Sequence, residues 1–267
     1  GGIDKGWKLS VPDSKLDEFW AQYYEHKVSK GEQSHLLERP HKEFNVLKID
    51  LDLKHDASQE DLQNVNPEHK YTHDMLRQII LLYAKAAAKY IKMPEPCYFT
   101  VFEKKRAKIK GQEKDTTKCY VKDGVHIMCP EIIAANELLH AFYDLFIKDE
   151  ELVKLYPDFK NVEPVDVMID ARVISTNAWF PVGSGKPDDN KDYYMPTKTY
   201  RIRANADGSK ILATECPLPF DIETQMLDVI KYFSGIGKQD NVTLLPATNM
   251  DIVRESVKSH FAGKKKS

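Results

Sequence analysis

From Phe44 to Leu53 the chain reads FNVLKIDLDL, with Leu47, Ile49, Leu51 and Leu53 on one parity and Val46, Asp50 and Asp52 on the other. Successive strand side chains point to opposite faces, so this run predicts a strand with one face in an apolar core and two carboxylates on the opposite face. At ~3.3 Å per residue those two acids stand roughly 6.6 Å apart. Such a strand needs an apolar partner layer, and the next strong pattern supplies one. From about Asp74 to Ile91, Met75, Leu76, Ile79, Ile80, Tyr83, Ala87 and Tyr90 fall on one helical face, and Met93, Pro94 and Pro96 end it.

The other segments mix the two periods. Ser14 with Asp17 resembles a capping box ahead of a helix from about Lys15 to Val28, carrying Leu16, Phe19, Trp20 and Tyr23. Cys97 to Glu103 and Lys118 to Met128 read as strands of a long hairpin joined by KKRAKIKGQEKDTTK. Pro130 suits the start of a helix running to about Ile147. A strand is expected over Val165 to Ala171, and turn formers fill Ala178 to Asp192. A hairpin is expected at KTYRIRAN with Asp207-Gly208, and a last helix over Phe220 to Phe233. Strands and helices mingle without regular alternation, which predicts an α+β fold.

Composition narrows the function classes. A chain of 267 residues with 42% apolar and 30% charged residues can bury a core, which excludes collagen-like and wholly disordered classes. The longest apolar stretch, Ile79 to Ala84, is far short of the ~20 residues a membrane helix needs, and the N-terminus shows no signal core. No membrane partner is expected, and the expected location is intracellular and soluble. A formal charge of −2 gives no overall positive field, so any polyanion contact must be local. Cys97, Cys119, Cys129 and Cys216 show no CxxC pairing, which supports neither a zinc ribbon nor a disulfide framework.

Three constellations carry chemistry. In KIDLDLKHD, Asp50 and Asp52 can reach one centre, and Mg²⁺ or Mn²⁺ with phosphate oxygens is the usual partner of such a pair; an acidic, solvated strand end is the plain alternative. In YVKDGVHIMCP, Lys122, Gly124 and His126 share a parity, which suggests a face open to phosphate, although a lone strand histidine is more often a core residue. In VMIDARVISTNAWFPVGSGKP, Asp170 follows an apolar run and precedes the turn Gly183-Ser184-Gly185-Lys186. Pro187 rules out a P-loop there, but the turn can offer backbone N–H groups, a hydroxyl and an ammonium to phosphate.

In this order the constellations resemble those of the archaeo-eukaryotic primase superfamily, in the branch of large DNA viruses related to the poxvirus primase-helicase. That family carries an hDhD strand, a G/S-x-H strand and an hD strand, matched by KIDLD, KDGVH and MID; GSGK looks like its GSxK turn, and FWAQYYEHKVSKGEQSHLLERP like its preceding region. The resemblance spans about residues 7–235. It implies an archaeo-eukaryotic primase fold of two α/β modules, one RRM-like, flanking a catalytic cleft within a domain of residues 1–235. Residues 236–267 are then an extension or linker toward a helicase region, for which no Walker motif is present.

It further implies that Asp50, Asp52 and Asp170 hold two Mg²⁺ or Mn²⁺ ions, and that His126, with Lys122, Gly124, Ser184 and Lys186, binds a nucleoside triphosphate. The implied activity is primer synthesis on single-stranded DNA, at a viral replication site in the host cell. Seven basic residues between Glu103 and Lys118, against three acids counting Glu103, offer a local DNA surface, with Lys104, Lys105, Arg106 and Lys108 as its core. Tyr193, Tyr194 and Tyr200 near Arg201 and Arg203 are a second candidate. Rival readings are a two-metal nuclease, a glycosyltransferase using the DxD, and a catalytically silent single-stranded-DNA-binding module of a replicative helicase. An HD-phosphohydrolase reading of His73-Asp74 is weak, because Asp favours a helix start.

Overall fold

A computed structural model of the chain describes residues 10–64, 67–111, 118–187, 192–205, 210–236 and 244–264. The Asp207-Gly208 turn, the hairpin-tip residues Glu113, Lys114 and Asp115, and the last three residues of the lysine-rich tail lie outside the described residues.

Among the described residues the alternating runs form six strands: β1 (Phe44–Asp56), β2 (Tyr98–Glu103), β3 (Lys108–Gly111), β4 (Cys119–Ala135), β5 (Met195–Ala204) and β6 (Ile211–Cys216). They make one open sheet in the order β1-β4-β2-β5-β6, all paired antiparallel, with β3 joined to the far end of β4. The helices are α1 (Leu16–Tyr23), α2 (Gln59–Gln63), α3 (His73–Ala88), α4 (Asn136–Ile147), α5 (Glu150–Leu155), α6 (Val165–Met168), α7 (Met226–Phe233) and α8 (Met250–Lys264). None of the described helices is long and apolar enough to cross a membrane.

Parity decides which helices cover which face. Leu47, Ile49, Leu51 and Leu53 of β1, with Val125 and Ile127 of β4, pack under Leu76, Ile79, Ile80 and Tyr83 of α3 and Phe142 and Phe146 of α4. On the opposite face Val46, Phe102 and Met128 meet Leu16, Trp20 and Tyr23 of α1, Val229, Ile230 and Phe233 of α7, and Trp179 and Val182. The β1 parity that carries Asp50 and Asp52 therefore belongs to this second face, beyond the end of its apolar cluster.

Three local expectations are corrected, and one helix is unforeseen. β4 does not stop at Met128; it runs through Pro130 to Ala135, and the helix begins at Asn136. Val46 pairs with Ile133 while the next residue, Leu47, pairs with Cys129, so Pro130 sits in a bulge where its missing N–H breaks no ladder. The expected strand over Val165 to Ala171 is the single helical turn α6, set by Pro164 at its N-cap, and strand pairing survives only at Ile169, which bridges Leu51. Ser14 does not cap α1, which starts from a 3₁₀ turn without a side-chain cap. Finally, α8, which the apolar periodicity does not announce, packs on α4 and buries Val253 in the first core.

Candidate active site

The antiparallel register of β1 and β4 builds the site row by row. Asp50 lies opposite His126, Asp52 opposite Gly124, and Lys54 opposite Lys122. The third carboxylate comes from the other side of β1. The Asp170 N–H donates to the Asp50 carbonyl at 3.0 Å beside the Leu51–Ile169 bridge, which swings the side chain toward the pair. Asp50, Asp52 and Asp170 each offer an oxygen, and these atoms lie within 4.8 Å of one another.

Electrostatics follow from that crowding. Burial, then the carboxylates of Asp52 and Asp170, push Asp50 up to about 8, opposed by Lys122 and Lys186. The Lys122 ammonium stands 3.4 Å from Asp52. A set of hard oxygen donors that repel one another fits Mg²⁺ or Mn²⁺ and suits thiophilic metals poorly.

His126 Nε2 faces Asp50 Oδ1 at 3.6 Å. Its ring lies between Trp179, at a centroid distance of 4.1 Å, and Tyr194, stacked at 3.7 Å. Burial, reinforced by Lys104, Lys48 and Lys186, lowers its pKa to about 3. The imidazole is therefore neutral near pH 7, with one N–H to donate and one nitrogen to accept. A Cβ added at Gly124 would lie 2.4 Å from the Tyr194 hydroxyl oxygen, so a larger residue there forces one of the two to shift.

The GSGK turn is clamped to residues 34–38. Glu38 and Trp179 exchange backbone hydrogen bonds at 2.8 Å, and the Gly185 N–H donates to the Ser34 carbonyl. Gly183 takes φ +81°, a left-handed conformation that suits glycine, and a Cβ there would meet Val28 at 2.8 Å. Ser184 is fully buried and donates its hydroxyl to the Leu36 carbonyl at 2.8 Å, so it holds the turn and does not line the cleft. Lys186 does line it.

The resulting cleft has a volume of about 630 Å³ and brings together Asp50, Asp52, Asp170, Lys122, Gly124, His126 and Lys186. Lys104, Arg106, Lys108 and Lys110 form its basic rim. Lys105 is not on that wall; its backbone N–H donates to Asp192. The second aromatic-basic group divides. Tyr194 lines the cleft, whereas Tyr200 is buried in the sheet and Arg201 pairs with Glu95.

Residues that sequence reasoning passed over are Arg172, Asn177, Asp123 and Tyr120, all on the cleft wall. Arg172 holds Asp170 with its guanidinium at 2.9 Å. An arginine two places after the acid of the hD motif was the available signal.

Three carboxylates, a histidine and lysines line one cleft, a donor set chemically suited to holding phosphate through divalent ions. Residues 3–200 match the family model described as the C962R protein N-terminal AEP domain, and the chain belongs to that family, a primase-type member of the archaeo-eukaryotic primases of large DNA viruses. No curated protein matches the chain.

Proposed function

We propose that the chain is a DNA-dependent primase-polymerase that joins nucleotides on a single-stranded DNA template. A 3′-hydroxyl attacks the α-phosphorus of a nucleoside triphosphate, one phosphodiester bond forms, the α–β phosphoanhydride breaks, and pyrophosphate leaves. Asp50, Asp52 and Asp170 are the residues that would hold two divalent ions. Such ions supply activation of the hydroxyl and charge neutralisation on the leaving group. Lys186 and Lys122 bring positive charge to the triphosphate, and the neutral His126 donates one hydrogen bond to a phosphate oxygen. The rim of Lys104, Arg106 and Lys108 takes the template backbone, since basic side chains beside the half-buried Tyr194 suit single strands.

The observation that carries this reading is the row of Asp50 opposite His126 and Asp52 opposite Gly124, closed by Asp170. Two α/β modules, one RRM-like, would then flank the cleft, and a helicase region beyond residues 236–267 would act with it at a viral replication site. Incubation with single-stranded DNA, labelled NTPs or dNTPs and Mg²⁺ or Mn²⁺ tests it. Growing products support a polymerase. Shortened DNA would favour the nuclease reading, and salt-sensitive binding with unchanged DNA would favour a silent binding module.

A further inference from the structure

Asp170 differs from its two partners in what already surrounds it. Its Oδ1 accepts from the Arg172 backbone N–H at 2.9 Å and from Arg172 Nε at 2.9 Å. Its Oδ2 accepts from Arg172 Nη2 at 2.9 Å, from Nε at 3.1 Å and from Asn177 Nδ2 at 3.1 Å. A carboxylate presents about four lone-pair sites, so these donors fill its accepting capacity. Asp52 and Asp50 instead face the Lys122 ammonium at 3.4 Å and the His126 ring at 3.6 Å.

The donors on Asp170 are of two kinds. The Arg172 backbone N–H is fixed by the chain, and it orients the carboxylate as an N-cap of the following 3₁₀ turn. The guanidinium is releasable. The Arg172 side chain is 69% exposed on the cleft wall while Asp170 is 8% exposed, so the arginine can turn into the cleft with little loss of packing.

We propose that the Arg172 guanidinium and a divalent ion compete for Asp170, so that Arg172 sets the metal affinity of the site. A divalent ion and a guanidinium on one carboxylate repel each other at close range, and the lone pair that a metal needs is one that Arg172 now holds. Arg172 is thus a positioning residue. This competition rests on the metal assignment made above.

Mn²⁺ titration of the protein without nucleotide, followed by electron paramagnetic resonance, tests it on wild type, Arg172→Gln, Arg172→Lys and the double variant Arg172→Gln/Asp170→Asn. Arg172→Gln should bind Mn²⁺ about tenfold more tightly, the range expected for losing a charge-assisted competitor. Arg172→Lys should gain less, and the double variant should lose the gain. Unchanged or weaker binding by Arg172→Gln, with its melting curve intact, would overturn the inference and make Arg172 a strut. Absence of Mn²⁺ binding in every protein would overturn the metal assignment and the inference together.

Discussion

Tyr194 lies face to face on His126, with ring centroids 3.7 Å apart and planes 17° apart, and its hydroxyl reaches over Gly124 on the same strand. Lys104 covers the tyrosine ring at 4.8 Å, so one aromatic ring links the basic rim to the histidine beside Asp50. The absent side chain at Gly124 and the present one at Tyr194 form one steric unit.

Gly124→Ala should therefore destabilise the protein by about 1–3 kcal/mol through overpacking. The next nearest tyrosine atom, Cζ, is 3.6 Å from the added Cβ, an ordinary van der Waals distance. In a Tyr194→Phe background the same alanine should cost clearly less. Urea unfolding of the four proteins gives the coupling; equal costs in both backgrounds would mean that Tyr194 simply moves aside.

Without metal, Asp50 should destabilise the fold as pH rises. Its folded pKa is raised to about 8, chiefly by burial, so between the usual carboxylate range and about pH 8 the folded state binds more protons than the unfolded state. Stability is lost across that window. The melting temperature of Asp50→Asn minus that of wild type should be larger at pH 8 than at pH 5, and a difference that shrinks with pH would contradict the assigned environment.

A second pH dependence has the same direction for a different reason. His69 Nδ1 pairs with the buried Asp123 at 2.9 Å, and that hydrogen bond raises the histidine pKa. The pair's contribution is complete below the histidine's unfolded pKa and disappears as pH climbs through the raised folded value. Melting curves of His69→Gln against wild type should differ most near pH 5.5 and converge at alkaline pH.

How much of this was legible in the sequence depends on distance along the chain. Parity alone put Leu47, Ile49 and Leu51 in a core and grouped Lys122, Gly124 and His126, because strand alternation is local. It could not place Asp50 opposite His126, since that register depends on the bulge around Pro130, which reads as a helix start. Asp170 was found as an acid after apolar residues, yet its arrival beside β1 depends on one bridge and not on a strand. Ser184 and Lys105 were grouped with their neighbours by proximity. The first is turned inward by the left-handed Gly183; the second stands in a bend between β2 and β3, where strand parity does not decide which way a side chain faces.

The basic rim can be tested on DNA. Reversing charge at Lys104, Arg106 and Lys108 should weaken single-stranded DNA binding and flatten its salt dependence by ~0.7 in slope for each phosphate no longer neutralised. Lys105→Glu should change the slope much less. Equal effects from all four positions would show a diffuse basic loop and no directed rim.

Lys186→Ala should lower both nucleotide affinity and turnover, because the GSGK turn delivers its ammonium to the cleft that holds the three carboxylates. Lys186→Arg should recover only part of the loss, the guanidinium being larger and differently aimed. Wild-type rates for Lys186→Ala at subsaturating nucleotide would remove the turn from the site.

The most direct measurement is primer synthesis on single-stranded DNA by wild type beside Asp50→Ala, Asp52→Ala and Asp170→Ala, each with its melting temperature recorded without metal. Each variant should lose synthesis by at least about 10²-fold, as expected when a group acting in the transition state is removed, while Asp50→Ala melts at or above the wild-type temperature and Asp170→Ala, which loses its N-cap and its bonds from Arg172 and Asn177, melts below it. Near-normal synthesis with Mg²⁺ by any one of them, or no synthesis by the wild type with either metal and either nucleotide class, would contradict a nucleotidyl-transfer site built on these three carboxylates.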